Sequence, residues 1–254
     1  MQKLTIKTIA DFRSKGDKGK LGFVNRLNRP TKPKEPGNEE GGGDYWITSI
    51  SALINSFREN DIRYATDKIA ELRDKWSKSS RKQTKDTYSR NMDILLQFTS
   101  SDLKKLRPVK DLEFPKTPKR KVRFTFRGFE VQVDISHIFT FSKDGFDQVG
   151  CTWFVAKKDG FSPVELGMFT CLMYRYLEAH FAKTHKINTQ HCIAIDAFKK
   201  KEVSYAQLEK KEITDVLEPT LEEIRGLLKS ISRTGSVQVD PKQQRRPEIR
   251  PNAR

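Results

Sequence analysis

The sequence predicts an α/β protein of the α+β type, in which a helical N-terminal region precedes a mixed β-sheet core flanked by helices. Apolar residues recur at helix-face intervals over residues 44–106 and alternate with polar residues from residue 121 onward. Ser162, Pro163 and Glu165 combine an N-cap, a proline at the first helical position and a capping box. This combination predicts that a helix follows the strands.

The boundaries between these regions follow changes in composition. Residues 1–43 and 233–254 are rich in Gly, Pro and charged residues and have little periodic apolar spacing. They are predicted to form a flexible basic arm and a disordered basic tail. A proline-punctuated linker over 107–120 separates the helical region 44–106 from the α/β core 121–232.

The helical region contains three runs of apolar side chains at helix-face spacing, which begin near Trp46, Ile62 and Tyr88. Three or four short helices follow from this pattern. They are expected to form either a small bundle or a cap on the sheet. The sequence assigns this region no function of its own.

The core opens with a predicted hairpin. Strands over 121–126 and 129–141 flank the turn at Arg127, where a two-residue Arg-Gly sequence is a hairpin signal. Alternate residues of a strand face opposite sides of a sheet. Asp134 therefore falls in the middle of the second strand, in its polar row.

A third strand is predicted over 148–157, after a turn that contains Lys143. Val155 belongs to one face of this strand and Ala156 to the other. Lys157 and Lys158 stand at the end of the strand, where their ammonium groups are expected to lie near a phosphate path.

Three further elements complete the predicted core. The helix that begins at Ser162 runs to about residue 182, and a short apolar strand over 191–197 follows it. Asp196 ends that strand and is expected to cap the next turn. A last amphipathic helix is predicted to start at Thr220 with a capping box of its own.

The charge of the chain favours a polyanionic partner. Lysine and arginine outnumber aspartate and glutamate by 49 to 33, which gives a formal net charge of +16. Basic side chains that contact phosphates release condensed counterions and so gain free energy of binding. The composition therefore predicts DNA or RNA as the partner. The alternative is a protein whose basic termini serve only its solubility.

The cysteines and the apolar runs bear on the compartment. Cys151, Cys171 and Cys192 lie far apart within apolar segments, which predicts buried thiols in a reducing compartment and no disulfide or zinc site. The first residues lack the apolar run of a signal peptide, and no segment is long enough to span a bilayer. The sequence predicts a cytoplasmic protein with no membrane partner.

The order of hairpin, acidic strand, lysine strand, helix and further strand over about residues 121–200 resembles the PD-(D/E)XK nuclease superfamily, most closely its RecB-like branch. The resemblance implies a restriction-endonuclease-like core. It also implies that Asp134 is a ligand of Mg²⁺ and that Lys158 orients the attacking water or steadies charge on the phosphate. Asp134 and Lys158 are thus the candidate catalytic residues, and Lys157, Lys158, Arg127 and Lys143 are the candidates for contact with nucleic acid.

The chain departs from the family pattern at one position. Ala156 stands two residues before Lys158, where the family has a second acid. In some members of the superfamily this acid lies on the following helix, and Glu165 is placed for that role as a second metal ligand. A glutamate at this position is more simply the carboxylate of a capping box.

These observations predict a nucleic-acid-binding protein on a nuclease-like scaffold with a degenerate metal site. An active Mg²⁺-dependent nuclease with a relocated acid is the alternative. A protein-interaction module is the weaker alternative.

Overall fold

The computed structural model of the chain describes residues 3–28, 45–99, 103–109, 111–115 and 122–234. Within these ranges it confirms the predicted α/β class, because helices flank two β-sheets. The strands and helices in chain order are β1 (Lys3–Thr5), α1 (Ile6–Arg13), α2 (Asp17–Leu27), α3 (Ile47–Glu59), α4 (Arg63–Lys78), α5 (Lys82–Thr99), β2 (Val122–Phe126), β3 (Phe129–Val133), β4 (His137–Lys143), β5 (Phe146–Val155), α6 (Pro163–Phe181), β6 (Lys186–Asp196), β7 (Lys201–Ser204), α7 (Tyr205–Glu209) and α8 (Leu217–Thr234).

The two sheets have different topologies. In the first sheet the strand order is β1-β3-β2, with β1 parallel and β2 antiparallel to β3. In the second sheet, called sheet B below, the order is β4-β5-β6-β7. Only β5 and β6 are parallel among its pairs, and α6 makes the crossover between them. The carboxyl ends of β5 and β6 therefore meet at one edge of sheet B.

The prediction of a flexible arm is wrong for residues 3–28. This segment forms β1, α1 and α2, and Leu4, Ile9 and Phe12 are buried in the core. Thr5 closes a capping box with Thr8 at the start of α1. The free energy gained by burying these apolar side chains outweighs the entropy lost when the short segment is ordered. The rest of the predicted arm, residues 29–44, lies outside the described residues.

The helical region caps one face of sheet B. Helices α3, α4 and α5 confirm the three predicted runs, and a 3₁₀ turn over Leu103–Leu106 follows them. Phe57 of α3 packs with Phe139 and Phe154 of the sheet in one apolar cluster. His137 adds a polar contact, because its Nε2 atom lies 2.8 Å from the carbonyl oxygen of Ile54. Of the two predicted arrangements, the structure shows the cap.

The opposite face of sheet B packs against α6. Cys151, Trp153 and Val155 contribute to a second apolar cluster that contains Phe169 of α6 together with residues of α1 and α8. Phe154 and Ala156 belong to the cluster under the helical cap. The predicted alternation of faces along β5 is therefore confirmed.

Several predicted boundaries are wrong. The strand predicted over 129–141 is interrupted at residues 134–136, so it forms both β3 and β4. Strand β5 ends at Val155, and β6 begins five residues earlier than predicted, at Lys186 rather than residue 191. Helix α8 begins at Leu217, whose backbone N–H donates to Asp215 Oδ1 at 3.0 Å. Thr220 is consequently a buried residue inside that helix and not its cap.

The predicted linker is partly described. Glu113 exchanges two backbone hydrogen bonds with Thr140 of β4, at 3.0 and 2.8 Å. Residues 110 and 116–121 and the predicted tail from residue 235 onward lie outside the described residues.

Among the described residues, no helix combines the length and the apolar character needed to cross a membrane. The three cysteines are buried free thiols, as predicted.

Candidate functional site

Asp134 lies in the break between β3 and β4 and not in the middle of a strand. Because β4 and β5 are antiparallel, with His137 opposite Thr152, the start of β4 meets the end of β5. Asp134 and Ala156 consequently line the same cavity of about 180 Å³. Asp134 and Ala156 stand at the two positions where the family pattern has its acids, and the strand pairing brings these positions together.

The break is held in place by a hydrogen bond to β5. Ser136 Oγ accepts from the backbone N–H of Phe154 at 3.0 Å. Without this acceptor the buried N–H of Phe154 would lose its hydrogen bond at the point where strand pairing stops. The bond therefore fixes the segment that carries Asp134 relative to the end of β5.

The cavity contains one acid among the described residues that line it, which is Asp134. Lys7 of α1 lines the same cavity, and the remaining lining is apolar apart from two serines. Ala156, where the family pattern needs the second acid, is 5% exposed and presents only a methyl group. No group of three or more His, Cys, Asp or Glu side chains suited to a metal ion occurs in the part of the chain that the structure describes. Magnesium sites use one or two carboxylates together with waters and phosphate oxygens, so this lining offers the smaller of these carboxylate sets, in a cavity that an ammonium group also lines.

Glu165, the candidate relocated ligand, is occupied by local contacts. Its Oε2 accepts from the backbone N–H of Ser162 at 2.7 Å, and Ser162 Oγ accepts from the N–H of Glu165 at 3.2 Å. This is the capping box that the sequence predicts. Glu165 Oε1 accepts from Lys157 Nζ at 2.9 Å. Both carboxylate oxygens thus serve the start of α6 and the preceding loop.

The titration of Glu165 reflects these contacts. Burial by itself would raise the pKa of this carboxyl, but the backbone N–H of Ser162 and the ammonium group of Lys157 outweigh burial and lower the pKa. Glu165 is therefore an anion bound to its own cap and its own lysine. Neither contact directs the carboxylate toward Asp134.

Asp196 accepts hydrogen bonds from both loops at the edge of sheet B where β5 and β6 end. Its buried carboxylate accepts from the backbone N–H of Phe161 at 2.7 Å through Oδ2. Through Oδ1 it accepts from Phe198 at 2.9 Å and from Lys199 at 3.3 Å. The predicted cap of the following turn is present, and the same carboxylate also holds the loop between β5 and α6.

Gly160 allows the two loops to approach. It has a positive φ of 71°, and a Cβ atom at this position would lie 2.5 Å from Asp196 Oδ2 and 2.6 Å from the side chain of Lys199. A glycine is required here because any larger residue would displace the carboxylate or the lysine.

The two joined loops and the first residue of β7 carry a group of lysines, called the edge lysines below. Four of them are exposed and Lys157 is half-buried. Two exposed acids, Asp159 and Glu202, accompany them. The edge lysines are Lys157, Lys158, Lys199, Lys200 and Lys201. Exposed cations therefore outnumber exposed anions on this edge of sheet B.

A second cavity of about 510 Å³, called the α5 cleft below, lies beside the edge lysines. Arg90 and Lys158 supply its cations, and Phe198 supplies an aromatic ring. Asp93, Ile94, Leu96, Gln97 and Asp159 complete the lining.

Arg90 and Phe198 are held by neighbouring aromatic residues. The guanidinium of Arg90 lies 5.4 Å from the ring centroid of Tyr45, and its Nη1 donates to the Tyr45 hydroxyl at 3.2 Å. The ring of Phe198 meets the ring of Trp46 edge to face, with centroids 5.6 Å apart. Trp46 also lines the cavity of Asp134, so it lies between the two cavities.

Two predicted contact residues lie away from this edge. Arg127 stands in the β2–β3 turn, seven residues before Asp134, and its Nη2 pairs with Glu218 Oε2 of α8 at 2.6 Å. Lys143 ends β4, six residues after His137. Extended strands rise about 3.3 Å per residue, so each lies roughly 20 Å from the site along its strand. They are therefore separated from Lys157 and Lys158, and their contact with nucleic acid stays a prediction.

The sequence reading missed the contributions of Lys7, Arg90 and Phe198 to the cavities, and it missed the edge lysines that follow β6. The edge lysines after β6 could have been found from the sequence, because Lys199, Lys200 and Lys201 form a consecutive basic run. The first three come from elements far apart in the chain, and only the fold brings them to the cavities.

Comparisons of this chain with family models, with curated proteins and with solved structures gave no match.

Proposed function

We propose that this chain binds nucleic acid at the edge of sheet B where β5 and β6 end, and that it does not hydrolyse it. The observation that carries the proposal is the contact of the buried Asp196 carboxylate with both basic loops. The carboxylate joins the backbones of the two loops and so brings their lysines to one edge of sheet B. A preformed row of cations binds phosphates with a smaller entropy loss than lysines on flexible tails.

The absence of cleavage follows from the cavity of Asp134. Hydrolysis by the chemistry of the PD-(D/E)XK nucleases needs a divalent ion that lowers the pKa of a bound water. The described lining offers Asp134 as its one carboxylate, beside Lys7, and Ala156 replaces the second acid. One carboxylate in a cavity that a lysine also lines binds Mg²⁺ weakly, and the scaffold is therefore proposed to hold nucleic acid without cutting it.

The order of β4, β5, α6 and β6 supports the nuclease-like scaffold. The resemblance rests on the order of hairpin, acidic strand, lysine strand, helix and further strand, and β4, β5, α6 and β6 follow one another in the matching chain order, with β5 antiparallel to β4 and parallel to β6. Asp134 precedes β4 and Lys158 follows β5, beside the paired ends of these strands, but the two residues line different cavities. A shared scaffold does not carry the activity with it, because activity depends on the site.

The experiment is a titration of labelled single-stranded and duplex oligonucleotides with the full chain, followed by fluorescence anisotropy over a range of salt concentrations. The K158Q/K199Q variant removes one exposed lysine from each basic loop. The matched control is K75Q/K78Q, which removes two charges from α4 in the helical cap. Both variants lower the net charge by the same amount.

We expect K158Q/K199Q to weaken binding and to reduce the slope of log K against log salt concentration by about 1 to 2, because two phosphate contacts are lost. K75Q/K78Q should change the affinity little. Equal effects of the two variants would show that net charge alone drives binding. Undetectable affinity at low salt would overturn the proposal in favour of a protein-interaction module.

A further inference from the structure

The α5 cleft is lined by basic, apolar and polar side chains. Its cations, Arg90 and Lys158, adjoin the edge lysines. Phe198 and Leu96 provide apolar surface, and Leu96 is 48% exposed. Gln97 and the nearby carboxylates provide polar groups of the kind that contact the edges of nucleobases. Contact with phosphates alone requires neither the aromatic ring nor the carboxylates.

We infer that the α5 cleft accepts an unstacked nucleobase, so that the ligand at this edge is single-stranded nucleic acid. This inference rests on the proposed function and names its substrate class. The cleft volume of about 510 Å³ is adequate for a planar base. It also lies within the range of about 300–1,000 Å³ that is usual for small-ligand sites.

The recessed position of the ring favours a single strand. Bases of a duplex are stacked and paired, so a base can enter a side cavity only if it is first extruded from the helix. A single strand presents its bases without that penalty, and an aromatic ring beside a basic surface is the usual means of binding it. With phosphates on Lys158 and Lys199, the neighbouring base lies within reach of Phe198, which directly precedes Lys199.

The groups of the cleft are held before any ligand binds. Tyr45 positions Arg90 through a hydrogen bond of 3.2 Å, and Trp46 supports the ring of Phe198. The backbone N–H of Phe198 donates to Asp196 at 2.9 Å. Side chains fixed in this way lose little rotamer entropy on binding, which favours affinity for a ligand of matching shape.

Two substitutions test the cleft. F198L keeps an apolar side chain against Trp46 but removes the aromatic face, and its control is F146L. Phe146 is 60% exposed at the start of β5, and the ammonium group of Lys186 lies 5.6 Å from its ring, so it is an aromatic residue beside a lysine at the other end of the strand. L96E places a carboxylate in the cleft. Its control is L21E, which changes an exposed leucine of α2 outside the cleft.

Anisotropy titrations use labelled oligodeoxythymidylate, oligouridylate and a DNA duplex of the same length. We expect wild type to bind the single strands more tightly than the duplex. F198L should weaken single-strand binding about tenfold, the loss typical of one base–aromatic stack. L96E should weaken it as well, because its carboxylate occupies the cleft and repels phosphates, whereas F146L and L21E should leave it unchanged. The two single-stranded probes distinguish DNA from RNA.

Each result has a defined meaning. If wild type binds the duplex as tightly as the single strands, or if F198L and L96E bind single strands as wild type does, the inference fails. The proposed function survives such a result when K158Q/K199Q still weakens binding. If wild type binds none of the three probes, the proposed function itself fails. The exposed position of Leu96 makes L96E informative even if F198L does not fold.

Discussion

Lys157 and Glu165 form an ion pair with Nζ and Oε1 2.9 Å apart, and the other oxygen of the same carboxylate closes the capping box of α6. The pair joins the first lysine of the β5–α6 loop to the helix that this loop precedes. It also shows that Glu165, the candidate relocated metal ligand, stabilises local structure in this chain.

Substitution of Glu165 should lower the stability of the fold, because this carboxylate contacts its own helix cap and Lys157. E165A removes both the cap and the ion pair, and we expect it to lower the free energy of unfolding by about 1 kcal/mol, as is typical for a lost helix cap. E165Q should lower it less, because glutamine also closes a capping box. Urea unfolding measures both. A larger loss in E165Q than in E165A would contradict the capping role.

The same carboxylate predicts a pH dependence. The pKa of Glu165 is lowered in the folded chain, since the Ser162 N–H and Lys157 outweigh burial. A carboxyl whose pKa is lower in the folded state than in the unfolded state adds stability above the unfolded pKa of about 4.3, and this stability is lost as the pH falls through the folded pKa. The difference in unfolding free energy between wild type and E165Q should therefore be constant near neutral pH and shrink below about pH 4. A difference that grows on acidification would contradict the assigned direction.

Asp196 should matter more for stability than a neighbouring exposed acid. D196N leaves at least one of the three backbone N–H donors without its carboxylate oxygen, and we expect a loss of about 1–3 kcal/mol in the free energy of unfolding. The control is D159N, because Asp159 is exposed and asparagine tolerates its positive φ of 69°. D159N should change stability by less than about 0.5 kcal/mol. Equal free energies of unfolding for the two variants in urea would contradict the conclusion that Asp196 stabilises the fold by joining the two loops.

Restoring the missing acid should restore metal binding. A156E places a carboxylate beside Asp134 in the cavity that both positions line. We expect it to be less stable than wild type without metal, because a charge is added to a mostly apolar site. Mn²⁺ or Mg²⁺ should then raise its Tm, since an ion that binds only the folded state stabilises it.

The control for that experiment is A156Q, which has nearly the same volume and no charge. Neither A156Q nor wild type should show a metal-dependent rise in Tm. If wild type gains as much from Mg²⁺ as A156E does, the cavity already holds a metal site, and the account of Ala156 is wrong.

The elements that sequence reasoning predicted are those with strong local signals. The capping box at Ser162 and the periodic apolar spacing of α3, α4 and α5 arise within short windows, and the structure confirms them. The alternation along β5 was sufficient to assign Val155 and Ala156 to opposite faces.

The elements that it missed depend on distant partners. Leu4 pairs with Val131 of β3, so nothing within residues 3–28 reveals that β1 completes a sheet. Asp196 reaches Phe161, which is 35 positions away in the chain. The α5 cleft likewise combines α5 with two loops that follow different strands. Such contacts are set by tertiary packing, which local sequence patterns do not specify.

The most direct test of the central claim incubates the purified full chain with end-labelled single-stranded and duplex oligonucleotides in Mg²⁺ or Mn²⁺. Aliquots are separated on native gels for binding and on denaturing gels for cleavage. We predict a shifted complex with the single strands and intact oligonucleotides on the denaturing gel. Cleavage by wild type that is lost in D134A would contradict the account and establish an active nuclease.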